Sequence, residues 1–127
     1  MKLNLEYAKM TKLPYSFSNL TNLTYFRMFA CSLEKLNPVL YDCNNLQNIR
    51  LSNANFQSIP TGISKLQNLK HIGFECSDIE ILPDDILDMK NLEKISLENC
   101  PLYKNKDFKT LIKKKIKGIK IVKGWYD

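Results

Sequence analysis

Residues 68 to 79, NLKHIGFECSDI, contain the residue types that bind metal ions or activate nucleophiles. The segment holds the only histidine of the chain, His71, with Cys76 five positions later and carboxylates at Glu75 and Asp78. Imidazole, thiolate and carboxylate groups are the usual ligands of zinc and the usual partners in nucleophilic catalysis. A metal or catalytic site is therefore the first hypothesis. It requires that the secondary-structure elements carrying these residues bring them together.

The composition is that of one globular domain. The chain has 127 residues, of which 44% are hydrophobic and 25% charged, so it can bury a core and is not of disordered type. Its first residues lack a signal-peptide pattern, and no segment approaches the roughly 20 apolar residues of a membrane span. We expect a cytoplasmic location, an expectation that holds only if the chain is not a truncated piece of a longer protein.

The four cysteines are too widely spaced for a tight disulfide framework or a CxxC zinc pattern. They are separated by 12, 33 and 24 positions, at Cys31, Cys43, Cys76 and Cys100. We therefore expect free thiols in a reducing compartment, no metal and no other cofactor.

The net charge of +6 belongs to the C-terminal part of the chain. Residues 101–127 hold nine lysines against two aspartates, whereas the first hundred residues carry a net charge of −1. The run Lys113, Lys114, Lys115 and Lys117 could serve as a nucleic-acid or anionic-membrane patch. It lacks the interleaved aromatic residues typical of single-strand binding, which favours a solubilising surface and makes nucleic acid an unfavoured partner.

A 23-residue repeat organises most of the sequence. Four copies open with Asn-Leu, at Asn22, Asn45, Asn68 and Asn91, and each places apolar residues at the same offsets. The pairs that follow alternate apolar and polar, as a short half-buried strand does: Phe26/Met28, Ile49/Leu51, Ile72/Phe74 and Ile95/Leu97. Between the strands, apolar residues spaced by three and prolines at 14, 60 and 83 indicate one or two helical or 3₁₀ turns.

The segment from Leu82 to Leu102 resembles the leucine-rich repeat, L-x-x-L-x-L-x-x-(N/C)-x-L. The resemblance implies an α/β fold, a curved solenoid with parallel strands on its concave face and short helical or 3₁₀ turns on its convex face. We expect a single domain over residues 1–127. Its units are a partial repeat 1–13, repeats 14–36, 37–59, 60–82 and 83–102, and a helix-strand cap 103–127.

The chain departs from the family in the column where many members place asparagine. This column holds only small residues, Ala8, Cys31, Ala54, Ser77 and Cys100, so its backbone partners must be satisfied by thiols, by Ser77 or by water. Cys43 falls in a core column. Cys76 falls in the column of Ala30, Asn53 and Asn99, which predicts that it is the exposed thiol.

Both ends of the chain differ from the repeats. Asn105 and Gly118 can begin and end a helix whose apolar face holds Phe108, Leu111, Ile112 and Ile116. A strand follows, in which Ile119 and Ile121 take the places of Ile95 and Leu97. The N-terminal strand, with Met1, Leu3 and Leu5, has an open edge, which predicts either a fragment, an unusually short family member, or contact with another chain at this edge.

We predict a non-catalytic module that binds a protein or peptide on the concave strand face. Aromatic and arginine residues concentrate in the centres of protein interfaces, and the outward strand columns supply the candidate site, Tyr25, Arg27, Phe29, Asn48, Arg50, His71, Glu75, Lys94 and Glu98. The alternatives are a recognition fragment of a larger multi-domain protein, or anion binding through the lysine-rich cap. An enzyme is not favoured, because His71, Gly73 and Glu75 are expected on the exposed face, in columns that hold no ligand set.

Overall fold

The computed structural model describes residues 1–127 as a solenoid with one six-stranded sheet. Its strands are β1 (Lys2–Glu6), β2 (Tyr25–Phe29), β3 (Asn48–Ser52), β4 (His71–Gly73), β5 (Lys94–Ser96) and β6 (Lys120–Val122). All neighbours are parallel and the spatial order follows the chain. Five 3₁₀ helices connect the first five strands and lead to α1 (Lys106–Lys115): Tyr15–Asn19, Pro38–Asp42, Ile63–Lys65, Asp84–Asp88 and Pro101–Lys104. The predicted α/β solenoid is confirmed.

The strands are paired in the register of the 23-residue repeat. Phe26 lies opposite Ile49, which lies opposite Ile72, which in turn lies opposite Ile95. All four side chains are fully buried, because the inward face of each strand packs against the 3₁₀ turns on the other side of the core. Each repeat cannot bury its apolar face alone, and stacking joins these faces into one continuous core.

In three of the four copies, the opening asparagine links the repeat to the one before. The Nδ2 groups of Asn45, Asn68 and Asn91 donate to the carbonyl oxygens of Thr21, Asn44 and Gln67, over 2.6, 3.1 and 2.9 Å. This ladder satisfies turn carbonyls that strand pairing does not reach. The sequence displayed the recurring asparagine, but its bonding role emerged only from the structure.

Thiols serve the column from which asparagine is missing. The Cys31 Sγ lies 3.5 Å from the Leu5 carbonyl oxygen, and the Cys100 Sγ lies 3.2 Å from that of Ile79. Both contacts run from one repeat to the preceding one, as expected for thiols that replace an amide as backbone partner. Cys31, Cys43 and Cys100 are buried and Cys76 is exposed, as predicted.

In the turn that follows each of the first five strands, one residue has a left-handed backbone conformation. Its φ is between 51° and 58° at Tyr7, Ala30, Asn53, Cys76 and Asn99. Asparagine adopts this conformation readily, whereas other side chains with a Cβ adopt it at a cost. The repeat therefore imposes the same turn on residues that suit it unequally.

The C-terminal segment forms α1 and β6, and one residue of the predicted apolar helix face is exposed. Asn105 caps α1 by accepting from the Phe108 amide over 3.0 Å, and Ile112 and Ile116 are buried, but Leu111 is 45% exposed. At ten residues, α1 is also far too short to cross a bilayer.

The predicted register of the last strand is wrong. Ile121 lies opposite Ile95, and Lys120 lies opposite Lys94, whereas the predicted register has Ile121 opposite Leu97. A ten-residue α-helix occupies more chain than the 3₁₀ turn it replaces. The last strand is therefore reached 26 positions after its neighbour instead of 23.

Candidate functional site

The outward-facing side chains of β1 to β6, here called the strand face, are partly covered by the end of the chain. Residues 123–127, here called the tail, follow β6 and turn back over the sheet. The turn is closed by Gly124, whose amide donates to the Asp127 carboxylate over 2.7 Å and whose carbonyl accepts from the Asp127 amide over 3.2 Å. The tail thus carries Trp125 onto the middle of the strand face.

Trp125 is packed against three strands. Its ring stacks on the His71 imidazole, with centroids 3.6 Å apart and planes 14° from parallel. The Tyr25 ring meets it edge-on at 6.1 Å, and the Arg50 guanidinium lies 5.4 Å from its centroid. Only 8% of Trp125 is exposed, although it lies outside the repeats.

Gly73 makes room for the indole. A Cβ at this position would lie 2.7 Å from the Trp125 Cε3 atom and 2.8 Å from the Ser96 Oγ, distances that no packed side chain tolerates. The absence of a side chain therefore creates a recess in the sheet surface. We call this recess the aromatic notch and define it by Tyr25, Arg50, His71, Gly73 and Ser96.

His71 lies beneath the indole and is held as a neutral imidazole. Its Nε2 is 2.8 Å from the buried Ser96 Oγ. Burial, reinforced by the positive charges of Lys94 and Arg50, lowers the pKa of His71 from 6.5 to about 4. The imidazole is therefore uncharged at neutral pH.

The expectation that His71, Gly73 and Glu75 are exposed is wrong. His71 and Glu75 retain only 7% and 5% of their surface, and Gly73 is buried as well. The physical reason is the tail, which covers these residues, whereas the repeat pattern predicts only the end of a cap at this point. The single tryptophan, placed just after the last strand, was the available signal.

Glu75 and Arg50 form an incomplete pair beside the tail. The Arg50 Nε is 3.6 Å from the Glu75 Oε2, which also accepts from the Ser52 hydroxyl over 3.3 Å. The Arg50 Nε and the Glu75 Oε1 are buried without a hydrogen-bond partner. Both residues line a cavity of about 290 Å³ that the tail closes on one side.

The N-terminal half of the strand face is open. Tyr25, Arg27 and Phe29 are each half-buried, with the Arg27 guanidinium 5.3 Å from the Phe29 ring and paired with Glu6. Tyr7, which is 69% exposed, meets the Phe29 ring edge-on at 5.5 Å. We call Tyr7, Tyr25, Arg27 and Phe29 the open patch. The predicted site does not include Tyr7, because this residue follows its strand instead of lying in it.

The remaining predicted site residues flank these two areas. Asn48 and Lys94 are half-buried and Glu98 is exposed. The strand columns bring Tyr25, Asn48, His71 and Lys94 into one row. Cys76 is exposed, whereas His71 is covered by Trp125 and engaged with Ser96. No three histidine, cysteine or acidic side chains converge in metal-ligating geometry, so the opening hypothesis of a metal site has no cluster on which to rest.

Comparisons with known proteins agree with this architecture. Residues 44–102 match a family model described as leucine rich repeat. A solved leucine-rich repeat protein of Leptospira interrogans superimposes with a TM-score of 0.67 at 22% sequence identity, covering 95% of this chain. The chain spans 36% of the length of that protein. No curated protein sequence matches this chain.

Proposed function

We propose that this chain is a leucine-rich repeat module that binds a protein or peptide partner on its strand face and does not catalyse a reaction, a proposal supported by the match of residues 44–102 to a leucine rich repeat model and by the solenoid fold. Proteins of this family generally serve as protein-interaction modules. The observation that carries the proposal is the open patch, where two tyrosines, a phenylalanine and an arginine remain accessible on the sheet surface. These residue types supply most of the binding energy in protein interfaces.

The charges of the strand face favour a partner with an asymmetric charge pattern. Lysines mark the edge where the strands begin, at Lys2, Lys94 and Lys120. At the edge where the strands end, Glu6 is paired with Arg27 and the buried Glu75 with Arg50, which leaves Glu98 as the exposed carboxylate. A partner segment would therefore place acidic groups along the first edge and a basic group near Glu98. Such complementarity sets the orientation of a partner more than its affinity.

The contact residues divide into two sets on this proposal. In the present arrangement, a partner can reach the first set, which comprises Tyr25, Arg27, Phe29, Asn48, Arg50, Lys94 and Glu98. His71 and Glu75 become reachable only when the tail moves, because Trp125 and its neighbours cover them. The open patch is thus the first contact in the proposed binding.

Peptide display on the immobilised protein tests the proposal with a defined probe. Enriched peptides are expected to bind the wild type and to lose at least about tenfold in affinity for the Arg27→Ala/Phe29→Ala variant, which is about 1.4 kcal/mol. Tyr15→Ala is the matched control, since Tyr15 is an exposed tyrosine on the first 3₁₀ helix. Equal affinity for the double variant and the wild type would remove the open patch as the contact surface.

Anion binding through the cap is the second candidate. Lys113, Lys114, Lys115 and Lys117 are all exposed, and none of them takes part in an ion pair. A nucleic-acid contact at this surface predicts retention on heparin at low salt that weakens steeply as salt is raised. Flow-through at low salt would exclude it.

A further inference from the structure

The tail places the only tryptophan of the chain in a recess whose walls suit aromatic rings in general. We propose that the aromatic notch is a binding subsite for an aromatic side chain of the partner, and that Trp125 occupies it as an internal substitute. The inference rests on the proposed function and adds the chemical class of the ligand. The partner on this view is an extended peptide segment with an aromatic residue.

The walls of the notch recognise a ring from each side. The flat imidazole of His71 forms the floor at stacking distance, and the edge of Tyr25 forms one wall. Arg50 supplies a cation above the ring face. Stacked, edge-on and cationic contacts are the three favoured geometries of an aromatic side chain, and none of them is specific to the indole of Trp125.

The size of the side chains along one strand column makes the notch a local feature. The column runs Asn4, Arg27, Arg50, Gly73, Ser96. The step from arginine to glycine opens the recess at β4 alone. A ring can therefore enter the sheet surface at this one position, in register with the open patch two strands away.

The tail fills the notch without satisfying its surroundings. The Arg50 Nε and the Glu75 Oε1 remain buried and unpaired beside it, and unpaired buried polar atoms lower the stability of the state that contains them. One amide group of a bound peptide carries both the acceptor for Arg50 and the donor for Glu75. A partner with a suitably placed amide would complete contacts that the tail leaves open.

The tail can also leave without disturbing the sheet. Backbone hydrogen bonds from Leu97 and Glu98 to Val122 and Lys123 end before Gly124. Beyond that point, the main chain is held to the sheet by one bond, from the Lys94 Nζ to the Trp125 carbonyl over 3.4 Å. The other contacts that hold the tail to the sheet are those of the Trp125 ring. A competing ring would therefore have to displace a small, local set of contacts.

Binding of a free peptide to a variant with an empty notch tests the inference. The probe is an acetylated, amidated pentapeptide with the sequence of residues 123–127, Lys-Gly-Trp-Tyr-Asp, titrated to about 5 mM into the full-length Trp125→Ala variant. Amide NMR shifts at Gly73 and Ser96 are expected to saturate. The wild type should bind at least about tenfold more weakly, because its tethered tail competes at high effective concentration.

Two matched reagents isolate the ring and the recess. The probe Lys-Gly-Ala-Ala-Asp, which has no aromatic ring, should leave the shifts unchanged. The Gly73→Ala/Trp125→Ala variant should lose at least about tenfold in affinity for the tryptophan probe, since the new Cβ enters the ring position. A folded Trp125→Ala variant that shows no saturable shift, or that responds equally to both probes, would overturn the inference.

Trp125 fluorescence in the wild type gives a second test that needs no folded variant. Display-selected peptides that use the subsite must displace Trp125, so its emission should move to the red as they bind. Peptides whose affinity depends on Phe29 but which leave the emission unchanged would refute the subsite and preserve the proposed function. If selected peptides ignore the Arg27→Ala/Phe29→Ala substitutions and also leave the Trp125 emission unchanged, both proposals fall.

Discussion

The two halves of the strand face share one backbone and present different surfaces. Around β1 and β2, aromatic and arginine side chains stand half-exposed, whereas around β4 and β5 the outward residues are small or polar and lie under the tail. The strand register continues through both halves without a break. The repeat therefore determines where outward side chains lie, and five residues outside the repeat determine which of them solvent reaches.

In the covered half, a distant segment of the chain buries residues that the strand pattern places on the outside. His71, Glu75 and Ser96 are polar residues at outward positions, yet all three are buried. Polar groups under a cover require partners. Ser96 and His71 pair with each other, whereas the Oε1 of Glu75 has none. The polar groups under the tail are therefore fully paired at His71 and Ser96 and incompletely paired at Glu75.

Trp125→Ala should produce the largest change, because it removes the cover. The variant is expected to lose about 3 kcal/mol of unfolding free energy, at the lower end of the range for buried tryptophan, as measured by urea denaturation followed by circular dichroism. Tyr126→Ala is the control next to it. Tyr126 is 88% exposed and the Arg50 guanidinium lies 5.6 Å from its ring, so its loss should cost about 0.5 kcal/mol. Equal effects would mean that Trp125 is not docked in solution.

Gly73→Val tests whether the recess is what receives the tail. A side chain at Gly73 cannot coexist with the indole, so we expect about 2 kcal/mol of destabilisation and a red shift of the tryptophan emission.

Asn4→Val provides the matched comparison in the open half. Asn4 occupies the same column in β1 and is exposed, so its replacement should change the unfolding free energy by less than about 0.5 kcal/mol. A Gly73→Val protein with unchanged emission would contradict the packing of Trp125 over Gly73.

The sequence predicted what the repeat controls and missed what the tail controls. The columns of Ile49, Ile72 and Ile95 follow from periodicity alone, because a shift of one residue would move every apolar side chain out of the core. The position of Trp125 depends on a reversal of chain direction after β6 and on a recess left by a single glycine. Neither has a period, so pattern analysis could not place the ring on His71.

Acid should uncover the C-terminal half while leaving the N-terminal half unchanged. The pKa of His71 is about 4 in the folded protein and ordinarily 6.5, so the unfolded chain binds the proton more readily between these values. The contribution to stability is complete above pH 6.5, is lost as the pH falls towards 4, and levels off below. The unfolding free energy should drop by roughly 2 kcal/mol between pH 7.5 and pH 5.

His71→Asn removes the titrating group and is the control for this pH dependence. The groups that face His71 are Lys94, Arg50, Ser96 and Trp125, none of which is a carboxylate or a second imidazole. The asparagine variant should therefore show a nearly flat unfolding free energy between pH 7.5 and pH 5. A slope that survives the substitution would assign the acid sensitivity to other groups.

The smallest expected effects test the turn that both halves share. Ala30 follows β2 in the open half and Cys76 follows β4 in the covered half, and both have a left-handed φ that penalises a Cβ. Replacing either by glycine should raise the unfolding free energy by about 0.5–1 kcal/mol, because the relief of strain exceeds the added flexibility of the unfolded chain. Asn53→Gly should change it little, since asparagine already suits this conformation. Equal gains at Ala30 and Cys76 would mean that turn strain belongs to the repeat and is independent of the tail, whereas a gain confined to Ala30 would mean that the cover also constrains the turns beneath it.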